Sequence, residues 1–288
     1  MTKVNVFCGI SSLGMPFTKE NKNHIGYFDI LKSELSNLGY EVTGINISRL
    51  NNNRTWDLQN NLEQDKSMAY IKNLQVYSIE ELRSVNPLFK LIVPKKYQES
   101  IKITEKDENC TLKSIYKNAE NPIFLYSGGP NDFFTYIHAG PVELMDSEVR
   151  KKLPNDLEAV VDKCVDNIEQ NWLLLREINP NVQIYALSYY YSPLYDKIQK
   201  VIYLQEKRKD KNKKEVNNFL NIIELFNLKL SNAAKKYEYV DFIDISFIKD
   251  YCAPMDFHPN TLGNQLIADE IMKTIKNKNF SLESMMHL

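Results

Sequence analysis

The sequence has few cysteines, and those it has are widely separated. The four, Cys8, Cys110, Cys164 and Cys252, show no C-x-x-C spacing. This pattern argues against a zinc ribbon and against a disulfide framework, so we expect free thiols in a reducing compartment. The formal net charge is only -1. Charge therefore gives no global attraction to nucleic acid or to an anionic membrane.

Long apolar runs are also missing. No window approaches 18 uninterrupted apolar residues, so we expect no transmembrane helix. The N-terminus, M-T-K-V-N-V-F-C-G, has one positive residue and a short apolar run, but no small-residue cleavage site. We therefore predict a cytoplasmic protein. Hydrophobic residues make up 43% of the chain, enough for a full core without disulfides or a structural metal.

Segments typical of strands alternate with segments typical of helices. Strands are predicted at about 4–8, 40–47, 122–127, 182–188 and 239–245, and helices at 25–38, 155–178, 197–237 and 261–276. In the first helix one apolar face carries Ile25, Phe28, Leu31, Leu35 and Leu38, and Gly39 provides a stop. This alternation predicts one α/β domain over 1–288, a three-layer α/β/α sandwich around a parallel five-stranded sheet.

Two polar stretches interrupt the regular pattern. Residues 47–120 are rich in Asn and Lys, and we interpret them as a surface excursion with helices near 57–73 and 79–89. Such excursions often carry specificity, so we expect this one to shape the substrate pocket. The run E-K-R-K-D-K-N-K-K-E at 206–215 is typical of a solvated helix face or of a loop between two helices.

The first segment that could carry a catalytic residue is G-I-S-S-L-G at 9–14, directly after the first predicted strand. A serine there, Ser11, can project its hydroxyl into the crevice above a parallel sheet, near backbone N–H groups that could bind an oxyanion. An ordinary polar turn is the alternative. The segment is not the G-x-S-x-G nucleophile elbow of α/β-hydrolases, because Gly14 is three residues after Ser11.

A second segment, S-G-G-P-N-D at 127–132, follows the third strand. Its glycines allow the backbone to approach a ligand closely, and Asn131 offers an uncharged N–H donor for developing negative charge. The same residue types also form ordinary turns.

The third segment, M-D-F-H-P-N from Met255, precedes the last helix. At a spacing of two, the Asp256 carboxylate can reach one nitrogen of the His258 imidazole and leave the other facing a nucleophile. A surface histidine is one alternative. A metal ligand pair is another, with His24 and His138 as conceivable partners.

Taken in this order, the three segments resemble the SGNH (GDSL-like) hydrolase family. The matching residues are G-I-S at 9–11, G-P-N-D at 129–132 and D-F-H-P-N at 256–260. The resemblance implies a flavodoxin-like sheet of order 2-1-3-4-5 and acyl transfer without metal or other cofactor. It also implies a triad of Ser11 as nucleophile, His258 as general base and Asp256 as the acid that orients it. The Ser11 N–H and the Asn131 side chain would then contribute to the oxyanion hole.

The chain departs from the family pattern at two places. Ile10 stands where the family has an Asp before the nucleophile, and N-I-S-R-L-N-N-N-R-T lacks the glycine of the second block. An N–H group between Arg49 and Asn53 could substitute for that glycine. Ser12, one residue further from the strand, is the second candidate nucleophile.

The leading functional hypothesis is a serine esterase that acts through an acyl-enzyme on an acylated carbohydrate or other small molecule. An acyltransferase with the same triad is one alternative, and a non-catalytic binding protein of the same fold is another. A metal-dependent phosphoesterase using Asp132, Asp256 and His258 is a third. The aromatic residues Phe133, Phe134 and 189–191 could line the substrate site or pack in the core. The sequence identifies neither the acyl group of the substrate nor the oligomeric state of the protein.

Overall fold

Five parallel strands form one sheet in the computed structural model, which describes residues 2–9, 26–46, 116–129, 157–197, 200, 204, 219–252 and 258–286. The strands are β1 (Lys3–Gly9), β2 (Glu41–Asn46), β3 (Pro122–Tyr126), β4 (Gln183–Leu187) and β5 (Val240–Ile243). Their order across the sheet is β2-β1-β3-β4-β5, and every neighbouring pair is parallel. The expected strand order is thereby confirmed.

In the described part of the chain, four long helices cover the two faces of this sheet. They are α1 (Tyr27–Asn37), α2 (Leu157–Ile178), α3 (Phe219–Ala234) and α4 (Thr261–Met286). The helices α1 and α4 pack together on one face, and α2 and α3 pack together on the other. A short 3-10 helix, Ser246–Tyr251, follows β5. The predicted three-layer α/β/α architecture is confirmed.

Each central strand divides its apolar side chains between the two faces. In β1, Val4, Val6 and Cys8 join the core beneath α1 and α4, whereas Phe7 joins the core beneath α2 and α3. The same alternation continues in Ile123, Phe124, Leu125 and Tyr126 of β3 and in Ile184, Tyr185, Ala186 and Leu187 of β4. Strands buried on both faces read as continuous apolar runs, which is why they could be recognised in the sequence.

The apolar face of α1 is shorter than predicted. Phe28, Leu31 and Leu35 are buried as expected, but 53% of the Leu38 surface is exposed. Leu38 follows the last helical residue, so the helical spacing no longer directs it toward the sheet. The predicted stop is confirmed at Gly39, whose φ of 90° is a conformation that glycine adopts without strain.

The first four strands and the helices α1 and α2 begin and end within two residues of the predicted bounds. Of the helix predicted over 197–237, the structure describes α3 (Phe219–Ala234), and most of 198–218 lies outside the described residues. The fifth strand is shorter than 239–245, and the last helix continues ten residues beyond 276, to Met286. The predicted helices near 57–73 and 79–89 and the charged run at 206–215 lie outside the described residues. Within the part that is described, no helix combines the length and apolarity needed to cross a membrane.

A buried asparagine joins the end of α2 to the segment that leads into β3. The Asn179 side chain, 3% exposed, donates from Nδ2 to the carbonyl oxygens of Tyr116 at 2.8 Å and Ala119 at 3.0 Å. Its Oδ1 accepts from the Asn181 N–H at 3.0 Å. These bonds pair the Ala119 carbonyl and the Asn181 N–H, and they give a second donor to the Tyr116 carbonyl, which also accepts from the Ala119 N–H.

Asn179→Ala should lower the free energy of unfolding by about 2 kcal/mol, because buried polar groups would lose hydrogen-bond partners. Urea unfolding followed by circular dichroism measures this loss. Asn232→Ala is the control, since Asn232 is exposed and accepts only from Lys235 Nζ at 3.4 Å. The control should change stability by less than about 0.5 kcal/mol. Equal effects of the two substitutions would contradict a structural role for Asn179.

Candidate active site

The strand order places a crevice between the ends of β1 and β3. The chain passes from β1 to β2 on one side and then returns to β3 on the other side of β1. At such a reversal, the connections leave the two central strands in opposite directions, and ligands of open α/β sheets bind at the carboxyl ends there. Gly9 of β1 lies opposite Tyr126 of β3, so the two strands end at nearly the same level.

The structure describes His258, and it describes the strand ends that precede the other predicted site residues. Residues outside the described part are Ser11, Ser12, Asn131, Asp132 and Asp256, together with Ile10, Phe133, Phe134 and the Arg49–Asn53 stretch. In sequence, Ser11 comes two residues after Gly9, and Asn131 comes two residues after Gly129. The triad and the oxyanion hole therefore remain predictions.

The segment that follows β3 contains a tightly packed glycine, Gly129. Gly129 is buried with a φ of 122°. A Cβ atom on Gly129 would lie 2.6 Å from Phe226 Cζ and 3.2 Å from Cys164 Sγ. The Cys164 thiol also donates to the Gly129 carbonyl at 3.8 Å. Side chains from α2 and α3 thus fix the backbone just before Pro130, and only glycine fits this position.

The loop that carries His258 is attached to the end of the 3-10 helix. Pro259 forms an isolated antiparallel bridge with Cys252, and the Asn260 N–H donates to the Tyr251 carbonyl at 2.8 Å. The His258 side chain is half-buried, and its Nε2 atom is shielded from solvent. The two residues that follow His258 are therefore held against the end of the 3-10 helix.

The start of α4 explains the residues that follow His258. Asn260 caps the helix, because its Oδ1 accepts from the Gly263 N–H at 2.9 Å. A Cβ atom on Gly263 would lie 2.8 Å from Pro259 Cβ, so the glycine allows the proline to pack closely on the first turn. Asn264, 1% exposed, donates from Nδ2 to the Pro259 and Asn260 carbonyls, both at 3.0 Å.

Tyr27, the first residue of α1, contacts the ends of both central strands. Its hydroxyl lies 3.1 Å from Cys8 Sγ, with which it hydrogen bonds, and it also hydrogen bonds to the Ser127 side chain. Burial raises the pKa of Tyr27 well above its ordinary value, and the Cys8 thiol raises it further. Its backbone N–H donates to Asn264 Oδ1 at 3.0 Å. Tyr27 thereby joins the ends of β1 and β3 to the residue that holds the His258 loop.

Polar contacts also close the ends of β4 and β5. Ser188 Oγ donates to Asp244 Oδ1 at 3.0 Å and accepts from the Ile245 N–H at 2.7 Å. Asn227 of α3 accepts from the Tyr189 N–H at 2.8 Å and donates to the Tyr189 carbonyl at 2.7 Å. These bonds fix the backbone where the chain leaves the two strands.

Of the three tyrosines after β4, Tyr189 and Tyr191 pack with Tyr195. Tyr190 is buried and stacks on Tyr189 with ring centroids 5.2 Å apart. The Tyr189 and Tyr195 hydroxyls lie 2.7 Å apart, and burial raises the pKa of Tyr189 above its ordinary value. Tyr191 lies against the core cluster beneath α2 and α3, and its hydroxyl donates to the Asp196 carboxylate. Of the two roles considered for 189–191, these contacts favour packing.

Sequence reasoning assigned no role to Tyr27 or Asn264. Asn264 lies four residues after the last motif, and Tyr27 lies in the first helix, but neither residue type indicates its hydrogen-bond partner. The signal that could have found them is a polar group at an otherwise apolar core position. Among the described residues, no group of three His, Cys, Asp or Glu side chains could hold a metal ion.

Comparisons with known proteins give structural similarity without sequence similarity. No family model and no curated protein sequence matches the chain. The structure resembles that of a protein from Parabacteroides merdae described as a GDSL-like lipase, with a TM-score of 0.50 and 13% identity over 95% of this chain and 96% of the other. A carbohydrate esterase of family 3 from Talaromyces cellulolyticus gives a TM-score of 0.49 and 11% identity, over 96% and 97% of the two chains.

A catalytic mutant of the acetylxylan esterase Axe2 from Geobacillus stearothermophilus gives a TM-score of 0.46 and 12% identity, over 94% of this chain and 92% of the other. The Parabacteroides merdae structure and the strand order together show that the chain has the SGNH (GDSL-like) hydrolase fold. The fold implied by the sequence motifs is confirmed.

Gly129→Ala should destabilise the protein more than Gly39→Ala, although both residues have positive φ. Backbone strain should cost about 1–3 kcal/mol at either position. At Gly129 the new methyl group must also displace Phe226, which adds about 1–3 kcal/mol, whereas nothing lies within 4 Å of the Gly39 Cβ position. Urea unfolding of both variants measures the difference. Equal losses would show that Phe226 and Cys164 do not confine the end of β3.

Proposed function

We propose that this protein is a serine ester hydrolase in which Ser11, His258 and Asp256 form the catalytic triad. The observation that carries the proposal is the pairing of β1 with β3 at the centre of the sheet. Ser11 and Asn131 each follow one of these two strand ends by a few residues. The loop of His258 is linked to the same strand ends through Asn264 and Tyr27.

The chemistry requires an activated hydroxyl, because a serine is a weak nucleophile until a base accepts its proton. In the proposed reaction, Ser11 Oγ attacks the carbonyl carbon of the ester while His258 takes the hydroxyl proton. The tetrahedral intermediate collapses, the alcohol leaves with the proton from His258, and the acyl group stays on Ser11. Water, deprotonated by His258, then releases the acid and regenerates the serine. Asp256 orients the imidazole and stabilises its protonated form.

The oxyanion hole completes the proposal. Negative charge develops on the carbonyl oxygen, and preorganised N–H donors stabilise it. The Ser11 backbone N–H and the Asn131 side chain are the proposed donors, with a further N–H from Arg49–Asn53 in place of the missing glycine. The packing of Gly129 against Phe226 supports this assignment, because it fixes the backbone two residues before Asn131.

The proposed substrate is a small acyl ester of a carbohydrate or another small molecule. The similarity in fold to a protein described as a GDSL-like lipase supports ester chemistry in general. We place the protein in the SGNH family on this fold together with the order of its three motifs. Ile10, at the position of the usual Asp, removes a supporting residue and leaves the triad residues in place.

Wild-type protein should react with a fluorophosphonate probe, and Ser11→Ala and His258→Ala should reduce the labelling rate by at least about 100-fold. The probe reports an activated serine because its phosphorus forms a covalent bond with the hydroxyl oxygen. Ser12→Ala is the matched control, one residue away with the same side chain, and it should label within about threefold of wild type. Mass spectrometry of the labelled peptide identifies the modified residue.

Two outcomes of this labelling would contradict the assignment. Loss of labelling in Ser12→Ala but not in Ser11→Ala would make Ser12 the nucleophile. No labelling of the folded wild type would favour a non-catalytic binding protein with this fold. Loss of activity toward a phosphoester on adding a chelator would instead favour the metal-dependent alternative.

Hydrolysis and acyl transfer share the acyl-enzyme and differ only in what attacks it. With a p-nitrophenyl acetate substrate and glycerol as an acceptor, a hydrolase should release acetate in amounts about equal to nitrophenol. Quantifying both products by chromatography measures the partition. Acetylated glycerol as the main product at millimolar acceptor concentration would make the protein an acyltransferase.

A further inference from the structure

We propose that Tyr27 is a positioning residue that sets the three catalytic segments relative to one another. The proposal rests on the function proposed above, and it deepens it by assigning a role to a residue outside the triad. Tyr27 is fully buried and lies at the first position of α1, between the carboxyl ends of the two central strands and the start of α4.

The hydroxyl group of Tyr27 spans the first two segments. It contacts Cys8, three residues before Ser11, and it hydrogen bonds to Ser127, four residues before Asn131. The two strands are already joined by backbone hydrogen bonds up to the pair Gly9 and Tyr126. The tyrosine adds a side-chain connection at the last level of the sheet, beyond which the proposed nucleophile and oxyanion donor follow.

The backbone of the same residue reaches the third segment. The Tyr27 N–H is one of the helix N-terminal groups that has no partner within its own helix. It donates to Asn264 Oδ1, and the Asn264 amide donates in turn to the Pro259 carbonyl, next to His258. One residue thus contacts two of the segments directly and the third through a single side chain.

Packing alone does not account for a tyrosine at this position. Tyr27 belongs to the apolar cluster beneath α1 and α4, and a phenylalanine would fill the same volume there. A buried hydroxyl costs free energy unless it is hydrogen bonded. Here both of its partners are at strand ends that lead to the site, and none lies within its own helix. The hydroxyl therefore adds a side-chain connection to the backbone pairing of the two strand ends, and a phenylalanine would lack it.

Small displacements of catalytic groups are costly because the reacting atoms must meet at a defined distance and angle. A misplacement of about 1 Å can lower the rate by about 100-fold. Since Tyr27 does not contact the substrate in this proposal, its loss should affect the chemical step more than substrate binding.

The test is Tyr27→Phe, which removes only the hydroxyl oxygen. With p-nitrophenyl acetate, kcat and the fluorophosphonate labelling rate should fall about tenfold, while KM stays within about twofold of wild type. Tyr116→Phe is the matched control, since the buried Tyr116 hydroxyl donates to the Leu175 carbonyl at 3.1 Å in the core on the opposite face of the sheet. The control should lose a similar amount of stability and keep kcat within about twofold of wild type.

Hydrogen–deuterium exchange of the same two variants gives a readout that does not depend on catalysis. Tyr27→Phe should speed amide exchange in 8–14 and 127–132 together, whereas 256–260, which is linked through the Tyr27 backbone N–H that phenylalanine keeps, should change less. Tyr116→Phe should leave all three segments unchanged. Equal kcat values for the two variants, or unchanged exchange in 8–14 and 127–132, would overturn the positioning role. If the wild type lacks a reactive serine, the proposed function fails, and the exchange data still decide whether the Tyr27 hydroxyl fixes the first two segments.

Discussion

The parallel pairing of β1 with β3 is the interaction on which the candidate site depends. The two strands are adjacent although more than a hundred residues separate them in the chain, and their registered pairs end at Gly9 and Tyr126. Because parallel strands point the same way, whatever follows each of them emerges at one edge of the sheet. The segments carrying Ser11 and Asn131 therefore begin at neighbouring strand ends, where the strand order reverses and where ligands of open α/β sheets bind.

Around this pairing, buried polar groups connect elements that the sheet does not join. The Tyr27 N–H and Asn264 Oδ1 link residues 237 positions apart, so the first helix and the last helix meet at the His258 loop. Ser188 and Asp244 close the ends of β4 and β5 in a similar way. Tyr27, Asn264 and Ser188 are buried and have defined partners, so a displaced segment would leave these groups buried and unpaired. This cost favours one arrangement of the loops at the carboxyl edge of the sheet.

The periodicity of apolar residues predicted the strands and helices more accurately than it predicted their first and last residues. The buried strands and the positions of Phe28, Leu31 and Leu35 on the apolar face of α1 were predicted correctly, because side chains alternate in strands and recur every three to four residues in helices. Leu38 was assigned to the buried face, but it follows the last helical residue and is exposed. The fifth strand was predicted too long, since Asp244 bonds to Ser188 and to the Ser246 N–H where a further strand residue was expected.

The sequence by itself determined the five strands of the sheet and the long helices that cover it, and it indicated three segments with the chemistry of an acyl-transfer site. These features depend on residues close together in the chain, whose periodicity and turn-forming preferences are visible without a structure. Only the tertiary structure decided that Tyr27 and Asn264 connect the ends of β1 and β3 to the loop of His258. Their partners lie far away in sequence, and a buried tyrosine or asparagine carries no local sign of which distant group will satisfy its hydrogen bonds.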